Sequence, residues 1–154
     1  MQLESRRREL DRLFALSERL ERDPATDSEL PAHMARYLCI RVAGLLERAI
    51  VHMFSQHARR RSAPTVASYA ESRLAGFQNP KAERLVQLAG AFDRGWAAAL
   101  TEFIAGERKE AIDSVMNNRH QIAHGESVTL TRGRLKGYYD KILEVINFVE
   151  DQTA

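Results

Sequence analysis

The sequence predicts an all-α fold, a bundle of about five to seven helices. Three observations predict it. Apolar residues recur at three- and four-residue spacing along nearly the whole chain, the period of an amphipathic helix. Glycine and proline are scarce, eight and four among 154 residues, while Ala, Leu, Glu and Arg abound. The single stretch with strand-like alternation, Ser127-Val128-Thr129-Leu130, is too short and too isolated to make a sheet.

Each element follows from local chemistry. Leu3, Leu10, Leu13, Phe14 and Leu20 keep helical spacing and predict a first helix over 2–21, an N-terminal extension to the rest. Asp23-Pro24-Ala25-Thr26-Asp27 is a turn with capping residues. A long helix over 28–59 follows, with Met34, Tyr37, Leu38, Val42, Leu45, Ala49, Met53 and Phe54 on one side. Gly44 lies inside it, at a cost of about 1 kcal/mol against alanine, which suggests a close helix crossing. Pro64 opens a short helix to Leu74, and Asn79-Pro80 reads as an N-cap and first-turn pair for another over 80–91. Asp93 to Ile104 forms a further short helix whose Trp96 belongs in the core. After Gly106 comes a helix over 107–124, stopped by Gly125 in a left-handed conformation. Thr131 caps the last helix, over 132–151, with Leu135, Tyr138, Tyr139, Ile142, Leu143, Ile146 and Val149 on its inner face.

A chain of this length suits one domain over 1–154 and can bury a real core. The charged start, Arg6-Arg7-Arg8 included, argues against a signal peptide, and no apolar run is long enough to span a bilayer. A cytoplasmic protein that makes no use of a membrane is expected. The lone Cys39 cannot form an internal disulfide and reads as a small buried hydrophobe. A net charge of +2 does not announce a nucleic-acid binder. The basic residues are nevertheless bunched, at Arg6-Arg7-Arg8, Arg59-Arg60-Arg61 and Arg132-x-Arg134-x-Lys136. Arg132, Arg134 and Lys136 are candidates for tracking a phosphate backbone, although such bunches also serve as solvated helix ends.

The helix over 107–124 carries the chemistry. Ile112, Val115, Met116, Ile122 and Ala123 form one apolar stripe, and at about 100° per residue Arg119 falls in its middle. A buried, unpaired arginine costs several kcal/mol. Either Glu47 or Asp113 pairs with it inside the bundle, or this face borders a cleft where an anion binds. Arg41 makes a similar intrusion between Leu38, Val42 and Leu45, so two arginines from two helices can line one groove, or Glu47 can occupy them. His124 follows Arg119 by five residues and on a straight helix points about 140° away, ~7.5 Å along the axis. Two such groups do not converge on one phosphate. Either the helix ends or distorts before His124, or two chains share the site about a two-fold axis. As a third reading, His124 is simply a cation complementing the helix dipole.

Arginine and histidine together are enough to cut RNA without a metal: the guanidinium holds phosphate oxygens in a planar fork, and the imidazole moves a proton near neutral pH. No Cys/His or His/Glu group has zinc-ligand spacing, so neither a metal nor another cofactor is expected. There is also no phosphate-cradling glycine-rich loop and no Gly-x-Ser-x-Gly elbow. His33, His52 and His57 are scattered on the second helix and read as structural or surface residues.

The run Arg119-His120-Gln121-Ile122-Ala123-His124-Gly125 resembles the Arg-x4-His signature of the HEPN superfamily. The block Phe77-Gln78-Asn79-Pro80-Lys81-Ala82-Glu83-Arg84, followed by Ala91-Phe92-Asp93 and Trp96, is similar to its RiboL-PSP-type branch, and the likeness runs from about Tyr37 to Val149. The resemblance implies a HEPN-like helical bundle and an endoribonuclease whose cleft lies at a homodimer interface. It implies Arg119 and His124 as the catalytic pair, with His120 as the polar neighbour that orients the histidine. Asn118, Arg41 and Glu47 are accessory candidates beside them. The implied reaction is transesterification by the ribose 2′-OH, in a toxin or defence setting with an antitoxin protein as partner. The competing reading is a non-catalytic HEPN-type dimerisation module that binds RNA, nucleotide or protein.

Overall fold

A computed structural model describes residues 2–154 and shows seven α-helices and no strand among them. They are α1 (Gln2–Arg22), α2 (Leu30–Arg61), α3 (Pro64–Leu74), α4 (Ala82–Phe92), α5 (Arg94–Ile104), α6 (Glu107–Ala123) and α7 (Arg132–Thr153). The expected all-α bundle is borne out.

The middle of the bundle is α2, against which α1, α3, α6 and α7 all pack. Leu38, Cys39, Val42, Ala43, Leu46 and Ile50 are wholly buried along it. They meet Ile112, Val115 and Met116 of α6 and Leu135, Tyr139, Ile142 and Val145 of α7. Burial on several sides explains why α2 reads as broadly apolar rather than striped. Tyr37, expected on its inner side, stays 44 % exposed because no helix covers that edge. From α1, Leu10 and Phe14 enter the same core, Phe14 stacking on Tyr139 with ring centroids 5.1 Å apart. Tyr139 donates its hydroxyl hydrogen bond to Asp11 Oδ1 at 2.8 Å, tying α7 to α1. The short helices α4 and α5 pack on each other, and Phe54, Phe92, Trp96 and His57 form an aromatic cluster beside them.

Two local expectations are corrected. Asn79-Pro80 does not cap α4, which begins at Ala82. Asn79 instead takes a left-handed turn, φ 49°, and the free Ala82 N–H donates to Asp113 Oδ1 at 2.9 Å. A carboxylate from α6 therefore does the work of an N-cap, satisfying one of the donors that every helix start leaves open. Nor does Gly44 mark a close crossing: a Cβ there would meet nothing within 4 Å. The missing side chain leaves open space over α2. Thr131, by contrast, accepts from Arg134 N at 3.2 Å and starts α7 as expected.

Candidate functional site

The motif helix is bounded at both ends by glycine. Gly106, at φ 93°, precedes α6, and Glu107 and Glu110 in the first turn favour the positive end of its dipole. At the other end Gly125 N–H donates to the Ile122 carbonyl at 3.1 Å and Glu126 N–H to the Gln121 carbonyl at 2.9 Å. With Gly125 at φ 72°, this pair of bonds is a Schellman termination. The left-handed turn favours a residue without Cβ, which is why the helix stops there. His124 is the C-cap, φ −92° and ψ 9°, the last residue before the chain turns away. Its imidazole is exposed and meets the His120 ring edge-on at 4.4 Å between centroids.

Arg119 is half-buried. Its Nη1 donates to Glu47 Oε2 at 3.0 Å, and the same oxygen accepts from Asn79 N–H at 2.8 Å. Glu47 therefore binds the motif arginine and the Phe77–Pro80 turn at once. Of the two carboxylates considered for Arg119, Glu47 is the partner, while Asp113 holds α4. The ion pair does not withdraw Arg119 from the surface, since its side chain remains 28 % exposed.

Arg119 lines a groove of ≈ 180 Å³ together with Arg41, Arg48, Gly44, Ile40 and Arg6. The two alternatives for these arginines, a shared groove or capping by Glu47, both hold in part: they line one groove, and Glu47 pairs with Arg119 alone of the two. The open space over Gly44 lies between α2 residues of that groove. Arg41 is held by Glu9 Oε2 at 2.9 Å and donates to the Tyr37 hydroxyl at 2.7 Å. Burial works against its charge, but these two bonds outweigh it and raise its pKa. Beneath the groove, burial pushes the Cys39 thiol up to about 12, the Arg119 charge pulling weakly the other way. Cys39 donates to the Val115 carbonyl at 3.6 Å and is an inert core group.

The remaining residues named from the sequence lie elsewhere. His120 borders a separate cleft of ≈ 500 Å³, with Asn79, Lys81, Arg84 and Asn117. Asn118 bonds back to the Ser114 carbonyl at 2.8 Å and faces a third cleft, shared with Arg134 and Tyr138. Arg132 pairs with Glu21 at 2.6 Å and Lys136 with Asp140 at 2.5 Å, while Arg134 donates to the Tyr138 hydroxyl at 2.9 Å. These three residues of α7 all have partners in their own chain, for Arg134 a neutral phenol. Among the described residues no three His, Cys, Asp or Glu side chains gather as a metal site would require, and no helix is long and apolar enough to cross a membrane.

Sequence reading missed Arg48 and saw Arg6 only as part of the Arg6-Arg7-Arg8 bunch. Arg48 stands seven residues after Arg41, on the same face of α2, a spacing that carries this signal once the face is known to be uncovered.

A family model described as RiboL-PSP-HEPN matches residues 2–154, from α1 to the end of α7. No curated protein and no solved structure matches the chain.

Proposed function

Because the chain belongs to the RiboL-PSP-HEPN family, we propose that it is a metal-independent endoribonuclease with Arg119 and His124 as its catalytic pair. The family points to an RNase-like or nucleotide-binding module; the finer reading rests on one observation. Arg119, centred on an otherwise apolar helix face, presents its guanidinium to a groove that it shares with Arg41. A purely structural arginine has no need of a second cation beside it, whereas a phosphate does.

The proposed reaction is attack of the ribose 2′-oxygen on the adjacent phosphorus, with the P–O5′ bond breaking in line. One imidazole takes the 2′-OH proton and another gives a proton to the departing 5′-oxygen. The products carry a 2′,3′-cyclic phosphate and a 5′-OH. Arg119 stabilises the additional negative charge on the non-bridging oxygens as phosphorus becomes five-coordinate. Glu47 keeps that guanidinium in place until a phosphate competes for it.

Two histidines and a shared groove call for two copies of the chain. Within one copy, Arg119 faces the α2 groove while His124 projects at the end of α6 against His120. Tyr37 and Ile40, exposed by 44 % and 41 % on the edge of the groove, offer an apolar margin for a second copy. A two-fold axis there brings His124 of one copy toward Arg119 of the other. His120 then orients His124, and an antitoxin protein in a toxin or defence system is the partner that keeps the cleft silent.

The Arg119–Glu47 ion pair supports a second reading, a dimeric module that binds RNA, nucleotide or protein without cutting. Incubating total RNA with purified wild-type and His124→Ala protein, in excess EDTA, separates the two. Cleavage by wild type alone, leaving cyclic phosphate ends, is the expected result. RNA that is bound but never cut by wild type would establish the module instead.

A further inference from the structure

Four arginines border the groove over α2, and they are not equivalent. Arg119 is held by Glu47, and Arg41 by Glu9 and Tyr37. Among the described residues, Arg6 and Arg48 form no ion pair. Two cations thus stand without a countercharge beside two whose countercharge sits next to them. Between Arg41 and Arg48 lies Gly44, where even a Cβ would meet nothing. The floor between the two cations is open backbone.

Arg41 and Arg48 are two helical turns apart, about 10.5 Å along α2. The groove also continues. Arg6 and Arg48 both line the neighbouring depression of ≈ 450 Å³, together with His52, Ser55, Gln56, Phe77 and Gln78. Two unpaired guanidiniums therefore stand where one groove passes into the next, along one helix, starting from Arg119.

We propose that Arg6 and Arg48 form a phosphate subsite beyond the reacting phosphate, so that single-stranded RNA lies along α2 from Arg119 toward Ser55. The inference rests on the nuclease reading for its starting point and extends it to the course of the strand. An elongated polyanion is what this sequence of charges recognises, and planar guanidiniums favour phosphate oxygens over a diffuse negative surface. His52, Ser55 and Gln56 supply donors and acceptors for base edges of an unpaired strand. Arg132, Arg134 and Lys136 of α7 do not take part, because none of them lines either depression.

The test uses a fluorescent ten-nucleotide RNA, a dinucleotide substrate, and the full-length Arg6→Ala/Arg48→Ala double variant. Binding of the ten-mer is expected to weaken about 10-fold at physiological salt. The slope of log K against log salt should fall by roughly 1.4, ~0.7 for each phosphate that is no longer neutralised. The effect should appear in Kd and KM and shrink as the substrate is shortened to the dinucleotide. Gly44→Leu, which fills the floor with no change of charge and suits a helix, should also weaken the ten-mer. Unchanged affinity and salt slope in both variants would overturn the proposal. So would loss of binding to a glutamate-rich peptide with RNA binding intact, which would make the groove a protein site. Because binding is read separately from cutting, a wild-type protein that binds the ten-mer through Arg6 and Arg48 without cleaving it would sustain the subsite and defeat the nuclease reading.

Discussion

Arg119 has two possible employers, the Glu47 carboxylate 3.0 Å away and a phosphate in the groove. Arg119→Lys distinguishes them. Lysine can still pair with Glu47 as a point charge, and a partly exposed pair contributes only about 1 kcal/mol or less. The variant is therefore expected to melt close to wild type and to bind RNA nearly as well. It loses the planar fork that grips two phosphate oxygens as charge develops, so cleavage should fall roughly 10²-fold, by analogy with removing one oxyanion donor. Thermal melts and a cleavage time course on the same samples check this. A lysine variant that melts low but cuts at the wild-type rate per folded molecule would return Arg119 to a purely structural role.

Among the elements, α4 depends on a group from outside itself. Ala82 N–H is satisfied by Asp113 Oδ1, and Lys81 before it supplies no side-chain cap. Asp113→Ala should cost about 1 kcal/mol, the usual loss for removing an N-cap acceptor. In a chain of this size that lowers Tm by about 2–4 °C, and Asp113→Asn, which keeps an acceptor oxygen, should recover most of it. Calorimetry on the three proteins decides; equal melting points would mean that the bond carries no stability. The junction of α1 with α7 is tied by the Tyr139–Asp11 hydrogen bond. Burial first, and then that bond, raise the Tyr139 pKa above its ordinary 10.0. The protonated phenol is thus favoured in the folded state, so its contribution is complete below pH 10 and is lost as pH climbs past it. Tyr139→Phe should be about 1 kcal/mol less stable at pH 8. It should also lose less stability than wild type between pH 8 and pH 11 in urea titrations. Parallel pH dependence of the two proteins would contradict the assignment.

For the whole molecule, the shared-cleft reading requires a dimer through the uncovered edge of α2. Ile40 is 41 % exposed there, with no helix of its own chain over it. Ile40→Glu places a charge on that edge at little cost to the monomer, since surface changes usually stay within about 0.5 kcal/mol. Light scattering at tens of micromolar should show a dimer for wild type and a monomer for the variant, and RNA cleavage should fall with the dimer fraction. A monomeric wild type that cleaves RNA would end the two-copy mechanism.

The helices were legible in the sequence to within one or two residues at most boundaries, because their signals are local. The apolar period defines each helix, and Pro64, Gly125 and Thr131 act on the turn in which they stand. The all-α class follows from the same signals, and so does the candidacy of Arg119, a charge in the middle of an apolar stripe. Asn79-Pro80 carried an equally local cap signal and misled. The donor at the start of α4 is met by a carboxylate 31 residues away, which no local pattern records. Glu47 and Asp113 were equal candidates to hold Arg119 until packing sent one to the groove and the other to α4. Arg132, Arg134 and Lys136 had the spacing of a phosphate-tracking run. Arg134 and Lys136 meet Tyr138 and Asp140 one turn on in α7, a local pattern, but Arg132 is held by Glu21, 111 residues away, which only the fold supplies. Arg6, one of a basic run, and Arg48, unremarkable in sequence, stand in the groove with Arg119 because α1 lies along α2 beside Gly44. Helix formation is decided by neighbours within a few residues, so the sequence alone determined the elements and the motif. Which charges remain free to meet a ligand depends on groups brought together from distant segments, and only the tertiary structure decided that.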